Sequence, residues 1–476
     1  MTTKFFRMAA LGAGMFIAGC SAAVNEPINA ASKDGTPGGT VTQTRYVVDD
    51  VFIGLAFSGG GTRASSFSYG MLEELRAKGL LKYVRLVSGV SGGSVTAAYY
   101  GLRGPKGLDT YRDTYLVKDA ETYMANNPAN PSVLIKGISG GANNRTTFAR
   151  FLDETILKNA TFADLQKSGI ETWINASDVA NNTPFLFSPE TFAALCSDLD
   201  SLPLSEAVAA SAAFPLVFSP IVLESHQDCD YREPDWLTSA RNNPEATSAL
   251  RAYGRALESY RDPEKVRYVK LLDGAVTDNF GTTGLSVARA KSQNDFGPLT
   301  AKQAVQMRRM MFLVANAGVQ QDYAWTQKIE GPGGVELAMS IANSSMGAAT
   351  RVGFDVMRLS LDRWHNDLVD WRCGLSLPEV QKLRGSLDGW DCQDVKLFVG
   401  EVNFDPLPKD MRDKLDEIPT RLRLPEEQVD LAIAAARQST RLNAEFNGFL
   451  RSLKSAEPVS GAREIKPRQI TPDQNG

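Results

Sequence analysis

Residues 89–93 read Gly-Val-Ser-Gly-Gly, a Gly-x-Ser-x-Gly pattern in which a sharp strand-to-helix turn presents a serine hydroxyl as a nucleophile. The pattern recurs as Gly-Ile-Ser-Gly-Gly at 137–141, so Ser91 and Ser139 compete for the role. Ser91 follows the apolar run 84–88 and opens a helical stretch of small residues, Ser91 to Leu102. At a helix N-terminus the backbone amides and the dipole favour developing negative charge. Ser139 runs instead into Ala142, Asn143, Asn144 and Arg145, a loop composition, and is expected to be structural.

A serine nucleophile needs a base, and the chain has only two histidines, His226 and His365, both in polar stretches without a strand-end or glycine-turn setting. Asp273 has such a setting, at the end of the apolar run 266–273 and before Gly274. Asp-Gly is also a common turn pair, so the scarcity of histidine is what singles Asp273 out. With an ordinary pKa of about 3.9, an aspartate is a feeble base in water, and a cleft that excludes solvent must raise that value. The competing arrangement, with chain order serine, acid, histidine, makes His365 the base.

Oxyanion chemistry needs preorganised donors, and Phe57 to Leu75 supplies a place for them. A hydrophobic strand enters Gly59, Gly60 and Gly61, followed by a helix with Phe67, Met71, Leu72 and Leu75 on one face. Arg63, just past the turn, either supports the loop or attracts an anionic headgroup. No Gly-Lys-Ser/Thr follows, and the glycine spacing is not Gly-x-Gly-x-x-Gly, which argues against nucleotide binding.

These motifs, 59–63, 89–93 and 273–275, together with 211–221 and 278–285, resemble those of the patatin-like phospholipases. The resemblance implies a three-layer α/β/α sandwich around a mostly parallel sheet, with core motifs over 51–285 and a looser extension over 286–454. It implies Ser91 as nucleophile, Asp273 as general base without histidine, and Gly59, Gly60 and Gly61 as the oxyanion hole with Arg63 beside it. No metal or other cofactor is implied. Ser58 stands where many members have Asp, and Ala64 where many have Gly. An insertion-like stretch from Gly104 to Gly141 leaves the shape of the substrate site open.

Alternating short apolar runs and helical patterns support the same α/β class without the resemblance. Strands are expected at 51–57, 84–88, 172–179, 184–188, 266–273 and 309–317. Helices are expected at 63–78, 91–102, 146–157, 203–213, 284–290, 335–359 and 425–453. Residues 362–394 hold three of the six tryptophans and two cysteines, and read as a crosslinked surface excursion rather than a lipid-facing lid.

The N-terminus reads as an address. Lys4 and Arg7 precede an apolar run, Met8 to Gly19, too short for a membrane span of about 20 residues. It ends in Ile17-Ala18-Gly19-Cys20, which resembles a bacterial lipobox, so residues 1–19 are expected to be a signal peptide and Cys20 to carry lipid. An ordinary cleaved signal is the alternative. Residues 20–50 and 455–476 are polar and rich in Pro, Gly, Thr and Asn, and read as a flexible tether and a disordered tail. Export permits two disulfides among Cys196, Cys229, Cys373 and Cys392. The expected pairs are the sequence neighbours, 196 with 229 and 373 with 392, with four buried free thiols as the alternative. Their wide spacing argues against zinc.

A net charge of -4 gives no reason to expect nucleic acid. The combined expectation is an envelope-anchored serine acyl hydrolase, facing the periplasm from the outer membrane, with phospholipid or lysophospholipid as substrate. A non-catalytic envelope lipoprotein that uses the cleft for binding is the alternative from another class.

Overall fold

The computed structural model describes residues 24–33 and 50–454, apart from 126–129, 245, 320–323 and 328. The expected signal peptide, Cys20 and the tail from 455 lie outside the described residues.

Eight strands form one sheet: β1 (Val51–Phe57), β2 (Val84–Val90), β3 (Glu171–Asp178), β4 (Thr183–Leu186), β5 (Ile221–Glu224), β6 (Tyr268–Leu272), β7 (Arg309–Ala315) and β8 (Lys396–Val402). Their order is β5-β6-β3-β2-β1-β7-β8, with β4 also paired to β3. The run from β3 through β2, β1 and β7 to β8 is parallel, whereas β4 and β6 are antiparallel to β3 and β5 is antiparallel to β6. The helices that bear on the site are α1 (Gly61–Ala77), α2 (Gly92–Arg103), α3 (Leu204–Ser211), α4 (Thr283–Ser292), α5 (Gly334–Cys373), α6 (Glu426–Leu442) and α7 (Ala444–Lys454). Helices on both faces of a mostly parallel sheet make the expected α/β/α sandwich.

Strand β1 shows why two layers of helix are needed. Ile53, Leu55 and Phe57 share a core with Phe67, Met71 and Leu75 of α1, while Phe52 and Ala56 face a second core with Phe312, Met357 and Leu361. Each such side chain contributes about 1.5 to 3 kcal/mol by leaving water, so both faces must be covered. Helix α6 lies close against α1 because Gly70 has no side chain; a Cβ there would come within 2.4 Å of the Ile433 carbonyl oxygen. Buried Glu74 locks the pair by accepting from Arg441 Nη1 at 2.8 Å.

Four expectations change. Strands β5 and β8 were not foreseen. Helix α5 runs on to Cys373, because Met357, Leu361, Trp364 and Leu368 continue one buried stripe, so the first part of 362–394 belongs to the core. The helix expected over 425–453 is two, divided at Asn443, whose extended backbone ends α6 and whose Oδ1 accepts from Phe446 N at 3.0 Å to cap α7.

The fourth is the tether. Residues 24–33 run along the open edge of β5: Ile28 N donates to Val222 O at 3.0 Å, and the Asn29 amide exchanges hydrogen bonds with both main-chain groups of Glu224 at 2.8 Å. Asn25 donates to Ser219 and Pro220 carbonyls. An uncovered sheet edge offers unpaired N–H and C=O groups, and this segment satisfies them.

The stretch 104–141 is also anchored, by Tyr111 stacked between Tyr99 and Tyr115 at ring separations of 4.7 and 5.5 Å. The disulfides join Cys196 to Cys229 and Cys373 to Cys392. Among the described residues no helix is long and apolar enough to cross a membrane, and none of their His, Cys, Asp and Glu side chains cluster in threes fit to hold a metal ion.

Candidate active site

Ser91 sits between the carboxyl end of β2 and the first turn of α2, with φ 52° and ψ -124°. A non-glycine residue in this region of backbone space is held there only by its surroundings. Its N–H donates to Ser211 Oγ at 2.8 Å, and that hydroxyl donates onward to the Asn175 carbonyl at 2.6 Å. Ser94 Oγ closes the turn on the Ser91 carbonyl at 2.6 Å. The glycines are steric necessities. A Cβ on Gly92 would lie 2.0 Å from the Gly61 carbonyl oxygen, and one on Gly93 would lie 2.4 Å from that of Phe57.

Asp273 reaches the same place from another direction. Strand β6 runs antiparallel to β3, with Leu272 opposite Ser177, so its end descends to the level of Asn175, which pairs with Val90 of β2. Gly274 touches there: a Cβ on it would meet Asn175 O at 2.4 Å and a Val90 methyl at 2.9 Å. The Asp273 N–H is held by the Ala213 carbonyl at 3.0 Å and its own carbonyl by Ser177 Oγ at 2.8 Å. The carboxylate accepts from the Ala275 amide at 3.0 Å. Burial pushes its pKa up from 3.8 to about 6, and the Ala275 amide and Ser91 hydroxyl, both directed at the carboxylate, counter part of that rise. Ser91 is 6% exposed and Asp273 3%, so both groups sit largely out of water.

The glycine turn closes the constellation. A Cβ on Gly59 would lie 3.3 Å from Ser91 Cβ and 3.1 Å from Ala275 Cβ, so the turn lies against both serine and aspartate loops. Its amides are not equivalent, which corrects the expectation that all three glycines donate. Gly59 N–H is already paired with Asn279 Oδ1 at 2.9 Å, and Thr62 N–H with the Arg421 carbonyl at 2.8 Å. Gly60 and Gly61, both at positive φ, keep amides without an acceptor among the described residues.

Arg63 is a clamp rather than a headgroup site. It is 3% exposed and donates through Nε to Ala317 O at 3.0 Å, through Nη1 to Ile418 O and through Nη2 to Thr420 Oγ1 at 3.1 Å. Burial lowers its pKa to about 10. Ser58, beside it, accepts from Ala317 N at 3.0 Å. Ser139 is exposed at the end of the helix Pro131–Ile138, with ordinary helical backbone and no elbow.

Neither histidine reaches Ser91. His365 Nε2 pairs with the Val395 carbonyl at 2.8 Å, just before the amino end of β8, whereas Ser91 follows the carboxyl end of the interior strand β2. His226 follows β5, and the length of β6 separates it from Asp273.

Ser211, Asn175 and Asn279 were missed as site residues. Ser211 and Asn279 fall inside motifs recognised from the sequence, but nothing in a neighbouring residue type marks which side chain bonds to a distant backbone. A groove of about 1770 Å³ opens beyond the Asp273 turn, past Val276 to Asp278, between α4 and α5; neither Ser91 nor Asp273 lines it.

A carboxylate of raised pKa beside a hydroxyl can take a proton, and nearby unpaired amides can hold a negative oxygen. Residues 55–285 match the family model described as Patatin-like phospholipase. Human GIVD cytosolic phospholipase A2 is similar in fold at 12% identity and a TM-score of 0.41; this chain is covered over 85% of its length and spans 60% of the human one. VipD from Legionella pneumophila is similar at 12% identity and a TM-score of 0.32, with 90% of this chain and 71% of that one covered. No curated protein matches the chain. Residues 55–285 of this chain are a patatin-like phospholipase domain.

Proposed function

We propose that the protein is a serine acyl hydrolase that cleaves ester bonds of phospholipids or lysophospholipids through a Ser91–Asp273 dyad. Ser91 Oγ attacks the acyl carbonyl while Asp273 takes its proton. The tetrahedral oxyanion is held by the Gly60 and Gly61 amides, each such donor lowering the barrier by about 3 to 4 kcal/mol. Collapse expels the alcohol, which leaves with the proton from Asp273. Water, deprotonated by the same carboxylate, then releases the fatty acid from Ser91.

The observation that carries this reading is the buried Asp273 carboxylate, raised to about 6 with the Ser91 hydroxyl directed at it. An aspartate so tuned is charged at neutral pH yet basic enough to accept a proton. The test is labelling with a fluorophosphonate and product analysis by mass spectrometry on a mixed phospholipid extract. Wild type should be labelled at Ser91 and release free fatty acid, and Ser91→Ala should do neither. A folded wild type that takes no label favours the non-catalytic lipid-binding alternative.

We further propose that the protein is exported and held to the envelope by lipid on Cys20, with the outer membrane facing the periplasm as its site. The bonded pairs Cys196–Cys229 and Cys373–Cys392 support an oxidising compartment. Each acyl CH₂ buried in a bilayer adds about 0.8 kcal/mol of affinity, so multiple chains would hold the protein without a transmembrane helix. Metabolic lipid labelling that persists in Cys20→Ala would remove the anchor.

A further inference from the structure

The amide that the Gly59 turn withholds from the site points to a residue outside the dyad. Asn279 is 8% exposed and links α5 to the glycine turn through its side-chain amide. Its Oδ1 accepts from Gly59 N at 2.9 Å, and its Nδ2 donates to Thr350 Oγ1 at 2.7 Å. Thr350 is on α5, and its hydroxyl is fixed in turn by donating to the Met346 carbonyl at 2.7 Å. The chain of bonds thus runs from a long helix on one sheet face, through one side-chain amide, to the first glycine of the turn. Both ends of that amide are used with the correct polarity, one acceptor and one donor, so its orientation is determined.

We propose that Asn279 is a positioning residue for the reaction proposed above: it fixes the glycine turn so that the Gly60 and Gly61 amides stay unpaired beside Ser91. Gly59 is free to adopt many backbone conformations, and a Cβ at this position would come within 2.9 Å of Asn279 Oδ1, so a substituent cannot do the fixing. The hydrogen bond to Asn279 replaces that restraint. Thr350 secures the far end of the amide, which makes the geometry of the turn depend on α5. This inference rests on the dyad reading but makes a separate claim, because both amide atoms of Asn279 are committed to Gly59 and Thr350 rather than to Ser91 or Asp273.

The test compares Asn279→Ala, Asn279→Asp, Thr350→Val and Thr350→Ser with wild type in steady-state hydrolysis of a micellar lysophospholipid, with thermal melts to count folded protein. Misplacing donors by about 1 Å costs on the order of 10²-fold in rate, so Asn279→Ala should lose about that in kcat per folded molecule while KM stays within about twofold. Thr350→Val should lose about tenfold, and Thr350→Ser, which restores the acceptor, should regain wild-type kcat. Asn279→Asp keeps an acceptor for Gly59 but loses the N–H donor to Thr350, so its kcat should lie between those of Asn279→Ala and wild type.

The inference is overturned if Asn279→Ala keeps kcat and KM within about twofold of wild type, or if activity falls only in proportion to the unfolded fraction. It is equally overturned if Thr350→Ser behaves as Thr350→Val. A wild type that hydrolyses no ester, or a Ser91→Ala that keeps full activity, overturns instead the dyad reading on which the inference rests.

Discussion

The Ser91 main-chain N–H donates to Ser211 Oγ at 2.8 Å, so the nucleophile is held at its positive φ by a hydroxyl from α3, 120 residues away in sequence. The same hydroxyl reaches Asn175 O on β3, tying the elbow to a third element. Ser211→Ala leaves a buried N–H and a carbonyl unpaired. It should lower stability by about 1 to 3 kcal/mol and kcat by more than any rise in KM, measured by denaturant titration and steady-state kinetics.

The pH dependence follows from Asp273. As base it must be ionised, so kcat/KM should rise tenfold per pH unit below about 6 and level off above. The same shift affects stability. Because the folded pKa lies above the unfolded one, the folded state binds the proton more tightly; its contribution is fully present below about pH 4 and lost as pH rises through about 6. Asp273→Asn removes the buried charge and should be more stable than wild type at pH 8, by roughly 1 to 3 kcal/mol, while losing hydrolysis. A melt at pH 8 that shows no gain would contradict the burial of this charge.

Gly92→Ala tests the fit of α2 against the glycine turn. Its methyl would lie 2.0 Å from the Gly61 carbonyl oxygen, a main-chain atom that cannot rotate away. The variant should lose activity even where it folds, because the turn must move off Ser91. Gly79→Ala is the control for adding a methyl at a glycine, since nothing lies within 4 Å of that position and only its positive φ is strained.

Arg63→Lys separates charge from geometry. The guanidinium serves Ala317, Ile418 and Thr420 at once, and a lysine ammonium cannot reproduce that fork. Loss on the order of 3 kcal/mol of stability is expected, with activity falling through the loop rather than through substrate charge, so neutral and anionic substrates should suffer alike.

The parallel strands and the motifs at their ends were legible because β1, β2 and β7 are buried almost throughout on both faces and read as mostly apolar runs, interrupted only by Arg85, Ser88 and Arg309. Strand β8 was not, since it is the edge of the sheet and interleaves Lys396 and Glu401 with Val399 and Val402. Strand β5 is only four residues long and follows Pro220. The extension of α5 was readable in principle, in the spacing of Met357, Leu361, Trp364 and Leu368, but the tryptophans and cysteines around it suggested an excursion instead. The docking of residues 24–33 was beyond sequence patterning, because two asparagines bonded to main-chain groups nearly 200 residues away leave no periodic trace.

For the candidate site, composition did more than motif. With two histidines in 476 residues, neither at a strand end, Asp273 is the base that the sequence offers Ser91. What composition missed was the allocation of backbone amides: three glycines look alike in sequence, and the bond to Asn279 commits the amide of Gly59 alone.

The most direct measurement is therefore hydrolysis by a protein without histidine. The double variant His226→Gln, His365→Gln should keep kcat within about twofold of wild type, while Asp273→Asn, equally folded, should lose on the order of 10³-fold or more. Loss of activity in the histidine-free protein, or full activity in Asp273→Asn, would contradict an aspartate as the base for Ser91.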